Sequence, residues 1–149
     1  MSITLKAVKI HQDMSEETLC FSASLYWNGK KAGSVSNRGC GGSNDYYYET
    51  PQIRKEIREW IDVEPVFWND GTECDFEKLD CLIGQLVDEV DQKNWLKRQM
   101  RTKVLYRIKG DSKESYRTIK LKPHTRERIH KHIFDTYDNV VWLDGKVIA

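Results

Sequence analysis

Residues 20–36 constrain the fold more than any other stretch of the chain. Asn28 and Gly29 lie at the centre of this stretch, and both tolerate the positive φ that a two-residue hairpin turn requires. Residues 20–27 alternate between apolar and smaller or polar side chains, which is the period of a strand with one buried face. The apolar positions are Phe21, Ala23, Leu25 and Trp27. The pattern predicts a strand over 20–27, a tight turn, and an antiparallel return over 30–36.

Two more strands and a helix are predicted around this hairpin. Residues 3–10 alternate with a slip near Ala7, which indicates a strand with a bulge, and residues 46–49 predict a short strand. Thr50 and Pro51 then have the residue types of an N-cap and a first helical position. The helix is predicted to end near Asp62, with a buried stripe of Ile53, Ile57, Trp60 and Ile61.

A long helix is predicted in the middle of the chain. Residues 63–74, VEPVFWNDGTEC, come first and indicate an irregular acidic connector, in which Phe67 and Trp68 are expected to contact the body of the protein. Apolar residues then recur at intervals of three and four, so Asp75 is predicted to cap a helix that ends near Met100. Its apolar stripe comprises Phe76, Leu79, Ile83, Leu86, Val87 and Val90.

The last third predicts the order strand, strand, helix, strand. Strands are expected over 103–109 and 116–122 around Gly110, and a strand over 140–143 precedes a turn at Asp144-Gly145. Between them a helix starts at Thr125 with Ile129, Ile133, Phe134 and Tyr137 inward. The fold class is therefore α+β, with antiparallel N-terminal strands, one long central helix and a C-terminal β-β-α-β unit. We expect one compact domain, 1–149, with subregions 1–62 and 75–149 joined by the acidic aromatic connector.

Composition excludes several classes of protein. With 32% charged and 39% hydrophobic residues the chain suits a globular protein, and no apolar run approaches the ~20 residues of a membrane span. The N-terminus does not resemble a signal peptide, so a cytoplasmic location is expected. Four cysteines occur without a CxxC pair or histidines at zinc-ligand spacing, which predicts neither a metal nor a cofactor.

Charge is segregated along the chain. Residues 59–91 hold eleven acids against one base, Lys78, whereas residues 92–132 hold fourteen bases against three acids. The basic part could contact nucleic acid, and the acidic part could imitate a phosphate backbone or dock a basic partner. Alternatively, the two parts neutralise each other within one molecule or between two copies, and in the second case the protein is a homodimer.

The glycine-rich loop NRGCGGSNDYYYE, residues 37–49, supplies the first group of candidate binding residues. Its glycines could form a backbone nest for an anion, or they could only supply positive φ at a wide turn. Its tyrosines could stack on bases beside Arg38, or they could pack half-buried on a short strand. The candidates for a ligand or partner are Arg38, Cys40, Gly41, Gly42, Tyr46, Tyr47 and Tyr48.

Basic strands supply the second group. Alternation over residues 103–109 places three bases away from the apolar positions, and two lysines follow on the partner strand. Such a sheet face could track phosphates, although lysines also decorate exposed sheets for solubility. The candidates are Lys103, Arg107, Lys109, Lys120 and Lys122.

One stretch resembles a known group of proteins. An apolar strand, the turn NGK, a second strand and the tail N-x-G-x-G-G-x-N-x-Y are similar to the N-terminal third of small uncharacterised proteins from bacteria, prophages and bacteriophages. The resemblance covers about residues 18–48. It implies a cytosolic accessory protein of phage or prophage origin, a group in which inhibitors of host defence and of host enzymes are common.

Three functions follow from these patterns. The first is a non-enzymatic protein that binds and masks a host macromolecule, most naturally a protein. The second is nucleic-acid or nucleotide binding through the glycine-rich loop, the tyrosines and the basic strands. A third makes Cys40 the nucleophile of an enzyme, but the sequence places no histidine beside it to act as the base.

Overall fold

A computed structural model describes residues 1–113 and 115–142 of the chain, except for the side chain of Trp142. The fold is α+β, as predicted, and comprises two antiparallel sheets and three α-helices within the described residues. The chain divides into two compact units, Met1–Asp91 and Gln92–Ala149. The acidic connector lies inside the first unit, and the boundary between the units falls within the long central helix.

The first unit is built on a four-stranded antiparallel sheet. Its strands are β1 (Ile3–Ile10), β2 (Cys20–Trp27), β3 (Lys30–Arg38) and β4 (Asp45–Tyr48), in the order β1-β2-β3-β4. Asn28 and Gly29 have φ values of 51° and 81°, so the predicted hairpin turn is confirmed. The register of β1 shifts between Lys6 and Lys9, which confirms the predicted bulge near Ala7.

Two helices cover one face of this sheet. Helix α1 (Pro51–Val63) begins as predicted, because Thr50 Oγ1 accepts a hydrogen bond from the Ile53 amide at 3.2 Å. Helix α2 spans Lys78–Met100. The largest core of the unit joins the apolar face of the sheet to residues from α1 and α2. Its fully buried members include Leu25, Val35, Ile57, Ile83 and Val87.

The start of α2 differs from the prediction. Glu77 has a φ of 48°, which is outside the helical region, so the helix begins at Lys78 and Asp75 is not its cap. Phe76 therefore precedes the helix instead of joining its apolar stripe, and it is 76% exposed. The apolar spacing continued across this break, and for that reason the sequence pattern did not reveal it.

The connector is held by residues other than those predicted. Val66 and Cys74 are buried and pack with Ile61 and Cys81 in a small second core. Phe67 forms an antiparallel bridge with Glu73, which closes the connector into a narrow loop around a turn. Phe67 and Trp68 are 51% and 48% exposed, so the expectation that they pin the connector to the body is wrong.

The second unit has the predicted β-β-α-β order. Its elements are β5 (Lys103–Ile108), β6 (Arg117–Lys120), α3 (Arg126–Thr136) and β7 (Val140–Trp142), and its sheet has the order β6-β5-β7. Its core combines Val104 and Tyr106 with Ile129 and Ile133 of α3. Phe134, which was expected to face inward, is 66% exposed, because the buried side of α3 is formed by Ile129, His130 and Ile133. The predicted strand end at Leu143 and the turn at Asp144-Gly145 lie outside the described residues.

Candidate functional site

Asn37 organises the glycine-rich loop. Its side chain is buried, and its Oδ1 accepts hydrogen bonds from Thr18 Oγ1 at 2.8 Å and from the Gly39 amide at 2.9 Å. Its Nδ2 donates to the Gly42 carbonyl at 3.3 Å and to Asn44 Oδ1 at 3.1 Å. One amide side chain thus uses both donor hydrogens and both acceptor sites within the first unit.

Gly39 and Gly41 of the loop lie close to neighbouring segments and form hydrogen bonds with them. The Gly39 carbonyl accepts hydrogen bonds from three successive amides, those of Glu16, Glu17 and Thr18. A Cβ on Gly39 would lie 2.6 Å from the Met14 carbonyl oxygen, so glycine is needed there for space as well as for its φ of 82°. The Gly41 amide donates to Thr18 Oγ1 at 3.3 Å. The amides of Gly39 and Gly41 are therefore already used inside the protein.

The three tyrosines of β4 divide between the two faces of the sheet. Tyr46 and Tyr48 stack at 6.0 Å on the helix side, and Tyr46 OH donates to Asp80 Oδ1 at 2.5 Å. Burial, reinforced by the Asp80 hydrogen bond, raises the pKa of Tyr46 well above its usual value. Tyr47 lies on the opposite side and is 66% exposed. Of the three rings, Tyr47 presents the most surface to a ligand.

A groove beside the loop carries a concentration of carboxylates. We call it the acidic groove; it has a volume of about 460 Å³ and lies between the glycine-rich loop, the connector and α2. Gly42 and Asn44 line its loop side, and Trp68 and Phe76 line its connector side. Its carboxylates are those of Glu73, Asp75, Glu77, Asp80 and Asp88. Among the described residues that line it there is no lysine, arginine or histidine.

Two of the carboxylates that line the groove are influenced by their surroundings. Burial raises the pKa of Asp88, and the nearby charge of Asp91 raises it further. Asp80 is held by hydrogen bonds from the Asn44 amide at 3.1 Å and from the Tyr46 hydroxyl. The glycine-rich loop therefore positions one of the carboxylates that line the groove.

A wider groove of mixed charge continues from the acidic one. It has a volume of about 930 Å³ and shares Asn44, Asp75, Glu77 and Asp80 with it. Arg54 and Arg58 of α1 and Lys78 of α2 line its other parts, together with Tyr47 and Tyr48. This groove is lined by positive as well as negative groups, so the acidic groove is the more selective of the two for a cation.

The basic candidates of the second unit do not form one exposed row. Lys103 donates to Gln99 Oε1 of α2 at 2.9 Å. The Arg107 guanidinium donates to the Ser115 carbonyl at 2.9 Å and lies 4.8 Å from the ring of Tyr116. Leu105, between these two positions on the same face, is fully buried, which shows that this face is covered. The remaining candidates Lys109, Lys120 and Lys122 are exposed.

Sequence reasoning named some residues of these surfaces and missed others. It named Arg38, Cys40 and Tyr47, which are all exposed, and Gly42, which lines the acidic groove. It missed that Trp68 and Phe76 are exposed beside the carboxylates. The available signal was the placement of both aromatic residues among Asp and Glu near the turn at Asn69-Asp70-Gly71.

Comparisons with models of protein families, with curated proteins and with solved structures find no match to this chain. In residues 1–113 and 115–142, no group of three or more Asp, Glu, His or Cys side chains is arranged to hold a metal ion. No helix in that part of the chain has both the length and the apolar character needed to cross a membrane.

Proposed function

We propose that this protein is a small non-enzymatic binding protein that docks a basic segment of a partner protein in the acidic groove. The observation that carries the proposal is the composition of that groove. Five carboxylates line it without a compensating base among the described residues, and two aromatic side chains border it. Such a groove attracts cations through its charge and offers them ring faces as well.

Exposed aromatic residues support a protein partner over a free cation. Phe67 and Trp68 of the connector and Phe76, two residues after it, are all at least 48% exposed and lie in the first unit. Leaving three large rings in water is unfavourable for a protein that acts alone, and such patches are typical of interaction sites. Tryptophan and phenylalanine are also enriched in the centres of protein interfaces. We therefore expect arginine or lysine side chains of the partner to enter the groove while apolar ones cover the rings.

The identity of the partner class comes from the resemblance of residues 18–48. Because that stretch is similar to accessory proteins of bacteria, prophages and phages, we propose a host macromolecule as the partner. A basic surface on a host protein is often one that binds nucleic-acid phosphates. The carboxylates of the groove would bind such a surface and exclude the phosphates from it. The host protein would then be inhibited, which is an anti-defence or host-takeover activity.

Titration with a labelled arginine-rich amphipathic peptide tests the proposal. We expect binding that weakens with salt and that is reduced by Asp75→Asn, Asp88→Asn and Trp68→Ala. Glu59→Gln is the matched control, because Glu59 is an exposed acid of α1 that lies outside both grooves. If the wild-type protein leaves the peptide free, or if Glu59→Gln weakens binding as much as Asp75→Asn does, the proposal fails.

Nucleic-acid or nucleotide binding is the second candidate function. It was predicted from the glycine-rich loop, the tyrosines and the basic strands, and it is favoured by the exposure of Arg38 and Tyr47. Gel-shift and fluorescence titrations at low salt with single-stranded DNA, RNA and cyclic nucleotides test this candidate. An absence of binding to all three would rule it out.

A further inference from the structure

Helices α1 and α2 pack on one face of the N-terminal sheet, and the other face carries mostly exposed polar side chains. Core residues occupy alternate positions of β2, so Ser22, Ser24 and Tyr26 lie on the other side of the sheet. Residues that pair across antiparallel strands share a face, and therefore the register identifies the neighbours of these three. The open sheet face, as we call it, comprises Thr4, Lys6, Lys9, Ser22, Ser24, Tyr26, Lys31, Ser34, Ser36, Asp45 and Tyr47, and Arg38 continues it at the end of β3, where its partner Cys20 is buried.

This face carries an excess of positive charge. Four bases, Lys6, Lys9, Lys31 and Arg38, are distributed over β1 and β3, and each of them is exposed. A single acid, Asp45, stands on the same face at the edge strand β4. The intervening positions are hydroxyl residues, which donate hydrogen bonds to phosphate oxygens without adding bulk. The face is thus complementary to a chain of phosphates.

Two tyrosine rings give the face a second property. Tyr47 is 66% exposed, and Tyr26 is half-buried with Lys6 Nζ 4.4 Å from its ring centroid. Strand spacing and residue rise place the two positions roughly 12 Å apart, since Tyr47 pairs with Ser34 and Ser34 pairs with Ser24. Proteins that bind single strands combine aromatic rings, on which the nucleobases stack, with lysine and arginine side chains that contact the phosphate backbone. Two separated rings among cationic side chains match this pattern.

We propose that the open sheet face binds single-stranded nucleic acid. The lysines and Arg38 contact phosphates, and Tyr47 and Tyr26 each stack on a different nucleobase. A duplex is disfavoured because its bases are stacked on each other and unavailable to the rings. The proposal deepens the second candidate function and is independent of the acidic groove, which lies on the helix side of the sheet.

Fluorescence anisotropy with labelled oligothymidylate tests the phosphate contacts. Four phosphate contacts to a single strand predict a slope of about −2.8 for log K against log salt concentration. Lys9→Gln and Lys31→Gln should each reduce the magnitude of that slope by about 0.7. Lys55→Gln is the control, since Lys55 is an exposed base of α1 on the helix side, and it should leave the slope unchanged.

The tyrosine variants test stacking separately from charge. Tyr47→Ala should weaken binding by at least about fivefold, whereas Tyr47→Phe should retain it because the ring remains. Since the ring of Tyr47 is exposed, neither change removes a core contact.

Three results would overturn the proposal. The first is the absence of oligothymidylate binding at low salt; the second candidate function fails with it only if RNA and cyclic nucleotides do not bind either. The second is binding that is lost in Lys120→Glu and Lys122→Glu but kept in the open-face variants, which would leave nucleic-acid binding in place and assign it to the second unit. The third is equal affinity for a duplex and no loss in Tyr47→Ala, because the face would then act only as a positive surface.

Discussion

Replacement of Asn37 by alanine should lower the free energy of unfolding of the first unit by about 3 kcal/mol. This value follows from the four hydrogen bonds of the Asn37 side chain. The Gly39 amide is buried, so leaving it without its acceptor costs ~1 to ~3 kcal/mol. The partners of the other three bonds are part-buried and reach water, which limits each loss to ~0.5 to ~1 kcal/mol. Because one side chain makes all four, the losses are not fully additive.

Urea unfolding followed by circular dichroism measures this loss. Asn69→Ala is the matched control, since Asn69 is an exposed asparagine of the connector and its replacement should change the free energy of unfolding by less than ~0.5 kcal/mol. A loss below ~1 kcal/mol for Asn37→Ala would refute the reasoning, because it would mean that a single net hydrogen bond accounts for the whole role of Asn37 in the glycine-rich loop.

Three further predictions concern single side chains. Tyr46→Phe should destabilise the protein by ~1.5 to ~3 kcal/mol in chemical unfolding, since it removes a hydrogen bond to the Asp80 carboxylate; an unchanged midpoint would contradict the role of that bond. Asp111→Asn should lower the thermal midpoint at pH 7, because the hydrogen bonds from Arg117 lower the pKa of Asp111 and stabilise its ionised form. The difference should shrink as the pH falls through the usual carboxyl pKa of 3.8 and vanish only below the lowered pKa of the folded protein. A difference that persists in acid would contradict this reason. Native labelling with a thiol reagent followed by mass spectrometry should modify Cys40 first, because the other three thiols are buried; faster labelling of a buried thiol would show that the first unit opens locally.

The sequence predicted the local elements well because each had a nearby signal. Asn28-Gly29 has the chemistry of a hairpin turn, and Thr50-Pro51 has that of a helix start, so both could be placed without knowledge of the tertiary structure. The bulge near Ala7 was visible as a slip in alternation. These features depend on neighbouring residues only.

The candidate site was predicted less completely because it depends on contacts between distant residues. The link from Asn44 to Asp80 joins positions 36 residues apart, and no periodicity reports it. Phe76 matched the apolar spacing of α2, but the positive φ of Glu77 removed it from the helix. The basic residues Lys103 and Arg107 indicated an exposed face of β5. Leu105 lies between them on the same face and is fully buried, so that face is covered. In each case the position or burial of the residue depends on tertiary structure, which the local sequence pattern does not report.

The most direct test of binding in the acidic groove is a map of backbone amide chemical shifts during titration with the arginine-rich peptide. We expect the largest shifts at residues 68–77 and 80–88, with smaller ones at Gly42 and Asn44, because these segments form the walls of the groove. Shifts concentrated on the exposed side of α1, or spread evenly over the acidic residues of the whole chain, would contradict the proposal that the groove is the binding site.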